Sequence, residues 1–300
     1  MNALNRRGSC HGRAGATMAD AVVTVVVVVL CFLVVVGVML PAIGRNRCGG
    51  SRFIKDGTQV RGIHQGLVLF AQSNRDQFPV PSEYDAANAT IDPGDAGPES
   101  KDTTANVISM LIYNGFFSTE LCVSPAEQNP NIVQFTGYAL SMPEKAAKPE
   151  QALWDPAFSV DFTEGRTGNL SYAQAHFMGT RRAMWSDTFE ATQAAIGNRG
   201  PLVKGLDSSR EPILNNPAST TLLIHGGRKT WEGNIAYNDN HVNFETKMSP
   251  DSTPYARREG APVPDCLFFD EPDDVSGMDN LLTIITRNGS KDEDIQTIWD

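Results

Sequence analysis

The sequence predicts an α+β fold in which a long N-terminal helix crosses a membrane with its first half and packs its second half on a domain built around an antiparallel sheet. Three observations predict it. Residues 21–43 are almost wholly apolar, broken only by Thr24, Gly37 and Pro41. Residues 52–72 then place Phe53, Ile54, Val60, Ile63, Leu67 and Phe70 at roughly helical spacing with polar residues between. From residue 133 onward, short segments alternate apolar and polar side chains between clusters of turn-forming residues.

The apolar run is Val-rich, which suits a strand when short, but only a helix satisfies its own backbone when so many residues face lipid. At ~1.5 Å per residue it covers a hydrocarbon core of ~30 Å. Arg6, Arg7, His11 and Arg13 stand in a leader, residues 1–15, that has no acidic residue, so the positive-inside bias keeps the N-terminus in the cytoplasm and sends the rest outward. A cleaved secretory signal fits less well. The run exceeds a usual signal core, and no A-x-A-like site is clear after it, since Pro41-Ala42-Ile43-Gly44-Arg45 is followed by further basic residues. The chain of 300 residues therefore divides into a basic leader (1–15), an anchor helix (16–43), the outer part of that helix (44–78) and one substantial domain (79–300).

Composition narrows the partners. With 35 Asp and Glu against 25 Lys and Arg, the net charge of -10 repels phosphate backbones, so no nucleic-acid partner is expected. Five cysteines form no CxxC pair or Cys/His ladder, which excludes a zinc ribbon and a thioredoxin-like site. Cys122 and Cys266 belong to the domain, where an oxidising compartment would permit a disulfide that their separation in sequence does not fix.

The residues entering the apolar run are Gly15-Ala16-Thr17-Met18-Ala19-Asp20. This resembles the prepilin-type cleavage and methylation motif. In that family a peptidase cuts after the leader's last Gly, the new N-terminal residue is methylated, and an acid stands fifth in the mature chain. Gly15, Ala16 and Asp20 occupy those positions, with Ala16 where Phe is usual and Asp20 where Glu is usual. An acid in an apolar phase is expensive unless paired, and the released amine of a neighbouring subunit is a suitable partner, so the resemblance makes Asp20 the device that sets register during assembly.

Further along, Gln65 to Asn74 followed by Asp76, Phe78 and Pro79 looks like the helix exit of pseudopilins. Pro79 and Pro81 end helical geometry in any case. Residues 81–104 read as an exposed loop and 106–117 as a short helix burying Val107, Ile108, Leu111, Ile112 and Phe116. Strands are expected at 133–140, 157–162, 170–177, 220–225, 234–237 and 241–246, the last two joined through Asn238-Asp239-Asn240, whose residues tolerate left-handed geometry. The passage from His225-Gly226-Gly227 to His241-Val242 is similar to elements of pilin-like families.

Three constellations carry possible chemistry. His225, Asp239 and His241 would suit a transition metal if they converged, but turn-shaping explains each without one. Serines lie in polar loops with no G-x-S-x-G elbow, so no enzymatic activity is expected. The acidic stretch holding Asp265, Asp270, Glu271, Asp273, Asp274 and Asp279 offers hard oxygen ligands, with Asp265, Asp270, Asp273 and Asp274 as the candidate calcium set. Major pseudopilins use a C-terminal loop for calcium, which the resemblance extends to this stretch.

The resemblance thus implies a pilin- or pseudopilin-like subunit of a type IV pilus or type II secretion system, seated as a single-pass protein in a bacterial cytoplasmic membrane with its domain outside. Its partners would be the prepilin peptidase, copies of itself or related subunits, and the membrane. A monomeric, membrane-tethered protein that binds an extracytoplasmic ligand is the competing expectation.

Overall fold

The computed structural model describes residues 18–44, 47–257, 260–271, 279–289 and 291–300. Contacts divide the chain into two units, Met1–Ser51 and Arg52–Asp300. The first two described helices are α1 (Met18–Gly44) and α2 (Arg47–Gln72). Among the described residues, no helix is long and apolar enough to cross a membrane, which overturns the expected transmembrane half.

Within the second unit, α2 buries one face. Val60, Ile63, Leu67, Phe70 and Ala71 are all buried, following the predicted stripe, whereas Ile54 stays exposed. The helix ends as expected. Asn74 Nδ2 donates to the Phe70 carbonyl at 2.7 Å, and Arg75 and Asp76 take left-handed φ values of 57° and 61° that reverse the chain before Phe78 enters the core. Gly62 and Gly66 are where α2 lies closest to the loop beyond the next long helix. An added Cβ at either would come within 2.8 Å of Leu121 or Phe117.

The expected loop after Pro79 contains one turn of α-helix, α3 (Pro81–Tyr84), and two 3-10 turns at Gly94–Ala96 and Pro98–Lys101. Helix α4 (Thr104–Tyr113) is capped by Thr103, whose side chain accepts from the Asn106 amide, and it ends close to Gly115, as expected, where the chain turns at φ 77°.

Ten strands are present among the described residues: β1 (Tyr172–Ala175), β2 (Ala194–Asn198), β3 (Val203–Leu206), β4 (Pro212–Leu214), β5 (Gly233–Tyr237), β6 (Val242–Glu245), β7 (Pro254–Tyr255), β8 (Val263–Pro264), β9 (Leu282–Arg287) and β10 (Gln296–Ile298). Six form an antiparallel sheet in the order β10-β9-β1-β2-β5-β6, and β3-β4 and β7-β8 are separate pairs. The predicted hairpin is β5–β6, with Ala236 opposite Val242 and Asn240 at φ 69°.

Three predicted strands are absent. At 133–140 and 157–162, side-chain oxygens take the amides a ladder would use. Asp155 accepts from Ala139 and Ala157 at 2.9 Å each, and Asn169 accepts from Ser159. At 220–225, Ser219 accepts from the Thr221 amide and winds Thr220–Leu223 into a 3-10 turn.

The core joins Val60 and Ile63 of α2 to Ile196 of β2 and Ile235 of β5. A second cluster gathers Leu67 and Phe70 with Val107 and Leu111 of α4 and with Trp154, Phe177 and Trp185.

Candidate functional site

The buried stripe of α2 carries an acid. Asp56 lies one turn before Val60 on the same face and is fully buried. Its Oδ1 accepts from Ser124 Oγ, from Tyr172 OH at 3.0 Å and from Asn198 Nδ2 at 3.3 Å. Its Oδ2 accepts from Asn234 Nδ2 at 2.7 Å and from His225 Nε2 at 3.0 Å. Tyr172, Asn198 and Asn234 stand on β1, β2 and β5, so one carboxylate joins the helix to three neighbouring strands. Burial alone would raise its pKa. The donors from His225, Ser124 and Asn234 outweigh burial and hold it below the ordinary 3.8.

Two more polar groups of α2 are fixed inside. Gln59 Nε2 donates to the carbonyls of Glu120 and Val123 at 2.8 and 3.2 Å, and His64 Nδ1 lies 3.2 Å from Asn240 Oδ1 of the hairpin turn. Burial pushes the His64 pKa down, against smaller opposing effects of Asn240, Asp187 and Asp239.

The structure separates the imagined metal triad. His225 is committed to Asp56 and flanked by Phe53 and Phe244, with ring centroids at 6.3 and 5.7 Å. Asp239 and His241 pair with each other on the hairpin turn, where the His241 ring stacks on Tyr237 at 4.4 Å.

The acidic stretch is regrouped. Asp265, Glu271 and Asp279, all buried, bring one carboxylate oxygen each to within 4.8 Å of one another. Among the described residues, Asp265 is the only member of the expected calcium set in this group. Asp270 turns outward to Arg181 Nη2 at 2.9 Å with its side chain 64% exposed, and Asp273 and Asp274 lie outside the described residues. Asp265 Oδ2 accepts from the Asn280 backbone amide and from Asn280 Nδ2. Glu271 Oε1 accepts from the Cys266 amide and from Arg210 Nη2 at 3.1 Å each. Asp279 takes Arg181 on Oδ1 and the Glu271 amide on Oδ2. Burial, with the mutual repulsion of neighbouring carboxylates, raises the pKa of all three.

The disulfide that the sequence left open is not formed. Cys122 and Cys266 are buried free thiols packed in the core, and burial pushes both pKa values up, Cys266 to about 12. Gly15 and Ala16 lie outside the described residues, as does the side chain of Asp20 within α1. The described side chains from 21 to 34 are exposed, among them Val22, Phe32 and Leu33.

Sequence periodicity alone pointed to neither centre. The available signal for Asp56 was a lone acid in register with Val60, Ile63 and Leu67. For Glu271 and Asp279 the signal was only membership of an acidic stretch. Comparison of the chain with family models, curated proteins and solved structures finds no match in any of the three.

Proposed function

We propose that this chain is a pilin- or pseudopilin-like assembly subunit, cut by a prepilin peptidase after Gly15 and joined to copies of itself or to related subunits through its N-terminal helix, with its domain displayed outside the cytoplasm. The observation that carries the reading is α1 itself: over 21–34 its side chains are apolar apart from Thr24 and exposed around the whole helix. A helix apolar on every face requires burial by something other than water, and equivalent helices of neighbouring subunits supply it. The mode of attachment agrees, because α2 follows directly in sequence and is tied into the sheet by Asp56. No chemical turnover enters this function.

The test is the N-terminal residue and mass of the mature protein, wild type against Gly15→Ala. A methylated Ala16 start that disappears in the variant supports the reading. An intact Met1 in both removes it.

One observation favours the competing reading of a monomeric ligand-binding domain. An open groove of about 600 Å³ is lined by Asn129, Asn131, Asn215 and Asn216 together with Trp299. Amides beside an indole face suit a sugar. A monomer that binds glycans and is never cross-linked to its own copies would favour that reading.

A further inference from the structure

Three turns of the domain meet around an open groove of about 290 Å³. The β3–β4 turn brings Arg210, the segment before β5 brings Lys229 and Thr230, and the segment after β6 brings Lys247, while Trp231 and Met248 add apolar surface. The chain's net charge is -10, and Lys and Arg are 25 of its 300 residues, yet they are three of the eleven residues lining this groove, against one acid, Glu211. Cations are thus gathered at one place on a protein that otherwise repels anions.

The walls are held before any ligand arrives. Asp207 Oδ1 accepts from the Ser209 and Glu211 amides at 2.8 and 2.9 Å, and Arg210 stands at φ 63°. In the segment before β5, Gly226 packs so closely that an added Cβ would lie 2.0 Å from the Thr230 carbonyl oxygen, Arg228 stands at φ 72°, and Trp231 Nε1 donates to the Arg199 carbonyl at 3.0 Å. Left-handed geometry is unfavourable for arginine, and here it occurs twice, on the groove and next to Lys229. Turns fixed in this way reduce the ordering entropy that opposes binding.

The three cations differ in what they can offer. Arg210 Nη2 is held by Glu271 Oε1 at 3.1 Å and by the Pro264 carbonyl at 3.4 Å. Lys247 meets Asp251 at 3.2 Å in a pair whose side chains are 62% and 79% exposed, a contact of little worth that a ligand can displace. Lys229 is exposed. Two ammonium point charges, with the guanidinium already engaged, suit a singly charged carboxylate better than a phosphate, which calls for a bidentate fork or converging amides. Beside them Thr230 offers a hydroxyl, Glu211 an acceptor, and Trp231 and Met248 apolar contact, all of which a hydroxylated ring bearing one carboxylate would use.

We propose that this groove binds an acidic sugar of the uronate class, with its carboxylate on Lys229 and Lys247, its hydroxyls on Thr230 and Glu211, and its ring against the apolar residues. The site shares no lining residue with the amide-lined groove at Trp299, and it is independent of whether the chain assembles.

The test is calorimetry, with saturation-transfer NMR, on the purified full chain and three probes: a galacturonate trimer, the matching neutral galactose trimer and a glutamate trimer. The expected result is a Kd of about 1 mM or tighter for the galacturonate trimer alone, weakening at least ~2-fold between about 50 and about 200 mM NaCl. Lys229→Gln and Lys247→Gln should each lose ~5-fold or more in affinity, and the double variant ~25-fold. Both exposed substitutions should leave the Tm within about 2 °C of wild type. Absence of both heat and transfer signal for the galacturonate trimer at ~10 mM, far above the expected Kd, overturns the proposal. Equal binding of the neutral trimer overturns it too, because the lysines then contribute nothing, and equal binding of the glutamate trimer does so because the sugar then contributes nothing. Wild-type affinity in both lysine variants places the uronate elsewhere and likewise overturns it.

Discussion

Asp56→Asn tests whether the polar seam between α2 and the sheet stabilises this domain. The wild-type carboxylate accepts from five donors, three on Oδ1 and two on Oδ2. An amide places an NH2 group where one oxygen stood. In the better orientation it faces His225 Nε2 and Asn234 Nδ2, which contact Oδ2 at 3.0 and 2.7 Å. The imidazole can change tautomer to accept, but Asn234 Nδ2 cannot, so at least one buried donor is stranded. A stranded buried donor costs about 1–3 kcal/mol, and losing the charge on the remaining bonds adds a similar amount. The sum, about 4 kcal/mol, agrees with the usual cost of breaking a buried ionic network. For a domain of this size it corresponds to a Tm fall of roughly 8–16 °C, read by circular dichroism on the full chain. The exposed Asp95→Asn serves as a control expected to stay within ~0.5 kcal/mol. A Tm for Asp56→Asn within about 2 °C of wild type would refute the reasoning.

Other outcomes follow from the same contacts. In Gly226→Ala the new Cβ would lie 2.0 Å from the Thr230 carbonyl oxygen and 2.9 Å from that of Leu222, so the variant should lose roughly 3 kcal/mol or more; Gly227→Ala, with nothing within 4 Å, should be near neutral in the same melt. Both domain thiols should resist a thiol reagent at pH 8 in the native chain and react together only on unfolding, because Cys122 and Cys266 are buried and their pKa values are raised. Stability measured against pH in EDTA should fall on both sides of a maximum. The folded pKa of Asp56 is lowered, so its contribution is present above the ordinary 3.8 and is lost as pH falls through the folded value. The folded pKa values of Asp265, Glu271 and Asp279 are raised, so their contribution is full below the ordinary 3.8 to 4.5 and declines as pH rises through the folded values. Glu271→Gln should flatten that alkaline decline.

Local chemistry made some elements legible. The stripe Val60, Ile63, Leu67 and Phe70 marked the buried face of α2, Asn238-Asp239-Asn240 marked the β5–β6 turn, and Asn74 to Pro79 marked the helix exit. Strand β2 gave no alternation because all five of its residues, Ala-Ala-Ile-Gly-Asn, are buried on both faces. The run at 220–225 looked like a strand by composition, but Ser219 decides its geometry from one residue outside it. The membrane-spanning expectation relied on hydropathy summed along residues 21–43, and among the described residues no helix is long and apolar enough to cross a membrane. The carboxylate centre was legible only as an acidic stretch. Which of its members face inward depends on where β9 pairs with β1 and on the two arginines that hold Asp279, Asp270 and Glu271.

The placement of Asp56 bears on how a subunit of the proposed kind carries load. If subunits are held through the N-terminal helix, force on the domain passes along α2 into the sheet. Apolar contacts alone resist sliding weakly, since a shift of ~1.5 Å, one residue's rise, leaves much of the same surface buried. A hydrogen bond is lost over that distance. Five of them converge on Asp56 from β1, β2, β5, Ser124 and His225, so sliding by one residue would break all five and strand a buried charge. Gln59, one turn further along the same face, adds its own bonds to the Glu120 and Val123 carbonyls and would be displaced in the same step. The polar seam therefore supplies register where the hydrophobic stripe supplies adhesion, which accounts for a charged residue on the buried face of α2.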